Sequence, residues 1–208
     1  MSQAQDLSDG LAKLGLTISA ESQEKLLAYL ALLGKWNKVY NLTAIREPRQ
    51  MVRHHLLDSL AVLPYLWPGR WLDVGCGAGL PGMVLAIARP DWMFVLLDSN
   101  SKKIGFVQQA AIQLGVKNVS VHCGRVEDYK PDELFDGITS RAFAELGDFV
   151  GLTALLAKSG AKWAALKGHA DQEFSTLPPM FEIENCVSLQ VPGVAATRSL
   201  VVVKRRGE

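Results

Sequence analysis

Cysteine is scarce in this chain, and the cysteine positions form no recognisable pattern. The 208 residues contain 3 cysteines, Cys76, Cys123 and Cys186. An odd number of widely spaced thiols is typical neither of a disulfide framework nor of a zinc site. We therefore expect a protein of the reducing cytoplasm that holds no metal.

Long apolar runs and an excess of charge of either sign are also missing. Lys and Arg number 22 against 21 Asp and Glu, which leaves a net charge of +1. This balance excludes a strongly basic coat, so any contact with nucleic acid must use a local patch. Apolar stretches such as 26–33 are far too short to span a membrane. The polar N-terminal segment is not expected to be a signal peptide.

The pattern of apolar residues in the sequence changes near residue 68. Before it, Leu26, Leu30 and Leu33 recur at helical spacing behind Ser19, a typical helix cap, and a second helix is expected after Pro48. After it, short apolar runs alternate with helical segments, which predicts a mostly parallel sheet with helices on both faces. We predict a helical extension, 1–68, that packs on an α/β domain, 69–208.

The α/β region contains seven predicted strands. They are expected at 71–74, 94–97, 119–121, 137–139, 163–166, 183–189 and 200–203. Helices are expected at 83–89, 102–114 and 146–158, and Gly115 should end the second of them. Only a loop with Pro192 and Gly193 separates the last two strands, so we expect an antiparallel hairpin at one sheet edge.

A glycine-rich segment joins the first predicted strand to its helix and reads Asp73-Val-Gly-Cys-Gly-Ala-Gly-Leu-Pro-Gly82. Gly75, Gly77 and Gly79 permit a sharp turn and let backbone N–H groups lie against a ligand. Asp98 ends the next strand, where its carboxylate can accept both hydroxyls of a ribose. Together they predict a cofactor that carries a nucleoside. The alternative is a structural turn with Asp98 as a helix cap.

Two alignments of the loop imply different cofactors. From Gly77 it matches G-x-G-x-x-G, the pattern of nucleotide-binding dehydrogenases. From Gly75 it is Asp-x-Gly-x-Gly-x-Gly, the pattern of S-adenosylmethionine-dependent methyltransferases. We favour the second, because Asp73 suits a loop that faces the cationic methionine end and would repel a pyrophosphate. The expected fold is then a Rossmann-like class I methyltransferase with a mostly parallel seven-stranded sheet, an antiparallel edge hairpin and the N-terminal helical extension.

Residues after the third and fourth predicted strands fit this frame. Val126 and Glu127 follow the third strand, where such folds contact the adenine ring and its amine, although Glu127 can equally be a solvated acid. Arg141 follows the fourth strand, beside the methyl group. It can bind a carbonyl or phosphate there, or be an ordinary surface arginine.

Five segments resemble the RsmG (GidB) family of bacterial small-subunit rRNA methyltransferases. They are Trp36–Thr43, His54–Leu60, Asp73–Gly82, Ser140–Phe143 and Leu166–Gly168. The resemblance implies methylation of guanine N7 in 16S rRNA near the decoding centre, with S-adenosylmethionine as cofactor. It also implies cofactor contacts at Gly75, Leu80, Val126, Glu127 and Arg141, with Asp98 as the ribose-binding acid.

Guanine N7 has a free lone pair and no proton to remove, so its methylation needs positioning more than a general base. A local patch must supply the RNA contacts, and the cations between Gly34 and His55, with Trp36 and Tyr40 interleaved, are the candidates. The predicted RNA contacts are Lys35, Asn37, Lys38, Arg46, Arg53 and Lys167. Asn37 and Asn41 lie one helical turn apart, so both are predicted to share a helix face and read a base edge. Asn41 is also predicted to join Arg141 in the catalytic centre. The alternative is a solvated helix face with Trp36 in the core.

Two further hypotheses stay open. A small-molecule methyltransferase should have a closed apolar pocket near Arg141 and act without RNA. A non-catalytic RNA-binding assembly factor should bind RNA with salt-sensitive affinity and show no turnover.

Overall fold

The computed structural model describes residues 2–168 and 170–207, and its centre is one sheet. The strands of this part of the chain are β1 (Arg70–Val74), β2 (Met93–Asp98), β3 (Val119–Cys123), β4 (Phe135–Arg141), β5 (Ala157–Lys167), β6 (Phe181–Ser188) and β7 (Ser199–Arg205). Their order is β3-β2-β1-β4-β5-β7-β6. The first five run parallel, whereas β7 is antiparallel to both β5 and β6. The predicted sheet with its edge hairpin is confirmed.

The helices of the described residues cover both faces of this sheet. They are α1 (Gln3–Leu14), α2 (Ala20–Tyr40), α3 (Pro48–Met51), α4 (Asp58–Leu60), α5 (Gly82–Ala88), α6 (Ser101–Leu114) and α7 (Leu146–Thr153). A π-helical segment, Val52–Leu57, joins α3 to α4 without a break. Two predicted helix boundaries are confirmed: the Ser19 hydroxyl accepts from the Ser22 N–H at 3.1 Å, and Gly115 ends α6 at φ 62°. Within the described residues, no helix combines the length and apolarity that crossing a membrane requires.

The central strands are buried on both faces, which explains their continuous apolar sequence. Trp71 packs in the same core cluster as α1, α2, α5 and α6, and its neighbour Leu72 packs in the cluster under α7. This division follows because successive strand side chains point to opposite faces. Segment 1–68 therefore shares a core with the α/β region, and the boundary at residue 68 stays a prediction.

The predicted helix 146–158 is wrong in its last part. Here α7 ends at Thr153, a 3₁₀ turn covers Ala154–Leu156, and β5 already begins at Ala157. The Thr153 hydroxyl donates to the Phe149 carbonyl at 2.6 Å and accepts from the Trp163 indole N–H at 2.8 Å. A threonine that forms side-chain bonds of this kind favours a helix end, and apolarity alone could not separate the helix from the strand that follows it.

Candidate functional site

A cavity of about 880 Å³ opens at the carboxyl ends of the parallel strands. Its wall is formed by the glycine loop after β1, the segment after β4, the end of β5, residues 42–45, the π-helical segment and Arg198. Ligands of open α/β sheets bind at this edge. The cavity is therefore the candidate functional site.

The glycine loop is held by its own backbone. Both Gly75 and Cys76 donate their N–H groups to the Leu97 carbonyl, at 2.8 and 3.0 Å. The N–H groups of Gly79 and Leu80 donate to the Cys76 carbonyl, both at 2.8 Å. These donors are thus already satisfied, which differs from the expectation that the loop offers its N–H groups to a ligand.

Asp98 lies directly behind the loop. Its carboxylate accepts from the Gly77 N–H at 2.9 Å and from the Asn100 N–H at 2.8 Å. Asn100, and not Asp98, caps α6, because its side chain accepts from Lys102 and Lys103. The alternative of Asp98 as a helix cap is therefore wrong, while its role toward a ribose stays a prediction.

Asp73 is fully buried and binds the end of the glycine loop. One carboxylate oxygen accepts from the Gly82 N–H at 2.8 Å, and the other has no partner among the described residues. Burial raises the pKa of Asp73 to about 7. Asp73 is absent from the cavity lining, and its effect on the methionine end of a cofactor stays a prediction.

Tyr29 of α2 reaches the loop from the N-terminal segment. Its buried hydroxyl donates to the Ala78 carbonyl at 2.6 Å. Burial also raises the pKa of Tyr29, so the phenol keeps its proton. The sequence gives no signal for this contact, because Tyr29 falls among the leucines of the apolar stripe of α2.

Arg141 ends β4 and lies in the cavity wall. One of its terminal nitrogens donates to the His54 carbonyl and to the Asp58 carboxylate, both at 3.1 Å. The other oxygen of Asp58 accepts from the Arg198 Nε at 2.9 Å. The next residue, Ala142, has φ 56°, a strained conformation of the kind that clusters at functional sites. Sequence reasoning singled out Arg141 but missed Asp58 and Arg198.

The cavity wall 42–45 is fixed by two side chains. The amide of Asn37 donates to the Thr43 carbonyl and accepts from the Thr43 N–H, both at 2.9 Å. The Thr43 hydroxyl lies 3.1 Å from Nε2 of His55. Burial, together with the nearby Arg141 charge, lowers the pKa of His55 to about 4, so this imidazole is neutral at pH 7.

The two asparagines do not share a helix face. Helix α2 ends at Tyr40, and Asn41 follows in a left-handed conformation at φ 50°. Asn41 is exposed beside the cavity wall and accepts from Arg46 at 2.8 Å. Asn37 is only 3% exposed, so its predicted role in reading a base edge does not agree with this placement.

The predicted RNA-binding cations occupy three different environments. Lys35, Lys38 and Arg46 are exposed at the end of α2 and in the loop after it. Arg53 lies in a separate small cleft with Asp6. Lys167 is only 10% exposed, donates to the Ala144 carbonyl and pairs with Glu173 at 2.6 Å, so it belongs to the cavity wall.

The remaining predicted residues divide between the cavity and its surroundings. Leu80 is buried and lines the cavity, whereas Val126 and Glu127 lie in a 3₁₀ turn after β3, outside the lining. Val126 is buried and Glu127 exposed. Trp36 packs 5.7 Å from the Phe106 ring, which agrees with the core alternative, and the ring of Tyr40 lies 5.3 Å from Trp36. Within residues 2–168 and 170–207, no three His, Cys, Asp or Glu side chains form a metal-binding group.

Comparison with known proteins gives a consistent result. A family model described as rRNA small subunit methyltransferase G (GidB) matches residues 22–201. The chain is 50% identical over 202 residues to the ribosomal RNA small subunit methyltransferase G of Laribacter hongkongensis, covering 97% of this chain and 98% of that relative. It is 48% identical over 216 residues to the protein of the same name from Nitrosospira multiformis, covering 100% of both.

Solved structures with the same fold are more distant in sequence. TrmN from Thermus thermophilus has a TM-score of 0.56 at 20% identity, covering 72% of this chain and 48% of TrmN. The N-methyltransferase NodS from Bradyrhizobium japonicum, in complex with S-adenosyl-L-homocysteine, has a TM-score of 0.56 at 14% identity, covering 86% of this chain and 98% of NodS. At these identities the likeness shows the fold alone, and it confirms the predicted Rossmann-like class I methyltransferase fold.

Proposed function

Because the chain belongs to the rRNA small subunit methyltransferase G family, we propose that it transfers a methyl group from S-adenosylmethionine to N7 of a guanine in 16S rRNA, near the decoding centre. The observation that carries this proposal is the cavity in which the glycine loop and Arg141 meet. The partner is 16S rRNA or the small ribosomal subunit.

The state of the loop donors supports the sulfonium cofactor over a dinucleotide. A pyrophosphate is bound by free backbone N–H groups, but those of Gly75, Cys76, Gly77, Gly79 and Leu80 are already bonded within the chain. The methionine end of S-adenosylmethionine carries an ammonium group, which needs acceptors instead. The loop therefore fits S-adenosylmethionine better than it fits a nicotinamide dinucleotide.

The adenosine end of the cofactor belongs beside β2 and β3. A carboxylate has about four acceptor positions, so the two backbone donors on Asp98 leave capacity for ribose hydroxyls. Val126 and Glu127 are proposed to contact the adenine, because they follow β3, which pairs with β2 up to Asp98. Leu80 and Arg141 are proposed to contact the methionine portion from the cavity wall.

The chemistry needs little from the protein beyond orientation. S-adenosylmethionine, when bound, supplies an electrophilic methyl group. Guanine N7 carries no proton, so no general base is required, and the neutral His55 holds Thr43 instead of moving a proton. Orientation of two reactants in a cavity can contribute on the order of 7–11 kcal/mol. Asn41 beside the cavity wall and Arg141 within it are the residues proposed to orient the base.

RNA binding is assigned to the exposed cations near the end of α2. Lys35, Lys38 and Arg46 can contact phosphates, and Tyr40, which is 44% exposed, offers a ring face for stacking. Replacing Lys35 and Lys38 by Ala should weaken RNA binding and reduce the slope of log affinity against log salt by about 2. Arg53 and Lys167 are left out of this surface because acids of the chain lie beside them.

The test is methyl transfer to RNA from cells that lack this modification. Purified protein and labelled S-adenosylmethionine are incubated with small subunits, with naked 16S rRNA and without RNA, and the label is mapped by strand cleavage at 7-methylguanine. We expect label at one guanine N7, and a much lower rate with Asp98→Ala as the cofactor-site control. Transfer without RNA would favour a small-molecule methyltransferase. RNA binding without any transfer would favour an assembly factor.

A further inference from the structure

Asp58 is an acid that two arginines share. It is 2% exposed, and its two oxygens accept from different guanidinium groups, Arg141 at 3.1 Å and Arg198 at 2.9 Å. The two arginines come from distant parts of the chain, 83 and 140 residues away, and both line the cavity. Asp58 itself begins α4, directly after the π-helical segment.

The charges explain why this arrangement matters. Two guanidinium groups in one cavity wall repel each other, and a single buried carboxylate between them offsets that repulsion. The three side chains together carry one net positive charge, and all three line the cavity. Removal of a buried acid of this kind leaves its cationic partners without their counter-charge, and without the acceptor that fixes their orientation.

We propose that Asp58 is a positioning residue for methyl transfer, which holds Arg141 in the orientation that binds the carboxylate of the cofactor's methionine portion. Arg198 keeps Asp58 in place from the opposite side. A guanidinium binds a carboxylate strongly only when its N–H groups are aimed at it. This inference rests on the proposed function, because it needs S-adenosylmethionine as the cofactor.

A pair of ligands separates positioning from general stability. S-adenosylhomocysteine carries the amino-acid end of the cofactor, with its carboxylate and its ammonium group, and methylthioadenosine has the same adenosine and sulfur without that end. A variant that only weakens the fold affects both ligands alike. A variant that misplaces Arg141 weakens S-adenosylhomocysteine selectively.

The experiment measures both dissociation constants by calorimetry for the full chain, Asp58→Asn and Asp58→Glu. The matched control is Asp6→Asn, because Asp6 also accepts from an arginine, Arg49 at 2.7 and 2.9 Å, but lies outside the cavity. We expect Asp58→Asn to raise the dissociation constant of S-adenosylhomocysteine by about tenfold or more. The dissociation constant of methylthioadenosine for Asp58→Asn should stay within about twofold of the parent, and so should the dissociation constants of both ligands for Asp6→Asn.

Equal weakening of both ligands, or no weakening, would overturn the proposal. If Asp58→Asn does not fold, Asp58→Glu decides the question, since it keeps the charge and displaces the carboxylate by one methylene. The preference of Asp58→Glu for S-adenosylhomocysteine over methylthioadenosine should then be smaller than that of the parent. An unchanged preference would count against the positioning role of Asp58. A parent chain that binds neither ligand would instead contradict the proposed function.

Discussion

Tyr29 illustrates how one residue outside the glycine loop can control it. Its hydroxyl supplies the hydrogen bond of the Ala78 carbonyl from a helix 49 residues away. In Tyr29→Phe, that carbonyl loses its donor inside the core, which costs about 1–3 kcal/mol of unfolding free energy. We expect the KM for S-adenosylmethionine to rise as the loop loosens, with a smaller change in kcat. Urea unfolding and steady-state kinetics check both values, and an unchanged KM would show that the loop does not need this bond.

Two buried titratable residues should give opposite pH dependences. The pKa of His55 is lowered to about 4, so its contribution to stability is present above pH 6.5 and lost as pH falls toward 4. The pKa of Asp73 is raised to about 7, so its contribution is present below pH 3.8 and lost as pH rises through 7. In the parent chain the two effects largely cancel between pH 4 and 6.5.

Single variants should expose each effect. We compare the free energy of unfolding of each variant with that of the parent as pH rises from 4 to 7. For His55→Gln this difference should fall by about 3 kcal/mol, and for Asp73→Asn it should rise by about 4 kcal/mol. Urea unfolding at half-unit pH steps measures both differences. A variant whose free energy of unfolding follows the same pH dependence as that of the parent would contradict the pKa shift of the residue it replaces.

At the scale of elements, the end of α2 and the loop after it form one unit of the cavity wall. Asn37 holds Thr43 through two hydrogen bonds. In Asn37→Ala both backbone groups of Thr43 lose their partner, so we expect a loss of about 1–3 kcal/mol in unfolding free energy. Lys38→Ala is the neighbouring control, since an exposed lysine should change stability by less than about 0.5 kcal/mol.

The same two variants separate structure from RNA contact. Lys38→Ala should weaken RNA binding and leave the free energy of unfolding unchanged. Asn37→Ala should lower the free energy of unfolding and leave RNA binding unchanged. Filter binding and urea unfolding measure the two quantities. If Asn37→Ala left stability unchanged and lowered only RNA affinity, Asn37 would contact the RNA directly, as the sequence predicts.

The elements that could be predicted are those with local signals. The edge hairpin could be predicted because only a loop separates β6 from β7. The glycine loop, the cap at Ser19 and the end of α6 at Gly115 all depend on residues within a few positions of one another. The contacts that build the cavity do not. Asp58 meets its arginines across 83 and 140 residues, and no periodicity or spacing reports such a pair. Asn37 is a different case, because its partner Thr43 is only six residues away. The sequence pattern continues α2 past Tyr40, and the contact is expected only once the helix end at Tyr40 is known.

On the scale of the whole molecule, the N-terminal helices are part of the cofactor domain's core. Leu26 and Leu30 of α2 pack in one cluster with Met83 of α5 and Phe106 of α6. The Ser22 hydroxyl of α2 also donates to the Ile87 carbonyl at 2.8 Å. Segment 1–68 is an extension in sequence, yet its helices pack against α5 and α6, the two helices that follow β1 and β2.

This shared core predicts the outcome of cutting the chain at residue 68. Segment 69–208 alone should not unfold cooperatively or bind S-adenosylhomocysteine, because it leaves the apolar side chains of α5 and α6 in water. The control is the full chain with a protease site inserted after the exposed Pro68. Once nicked, its two fragments should stay associated through the common core and keep the ligand, as circular dichroism melts and calorimetry can measure. A separate 69–208 fragment that melts cooperatively and binds like the parent would mean that the α/β domain folds independently, and that Tyr29 merely adds to a loop already formed.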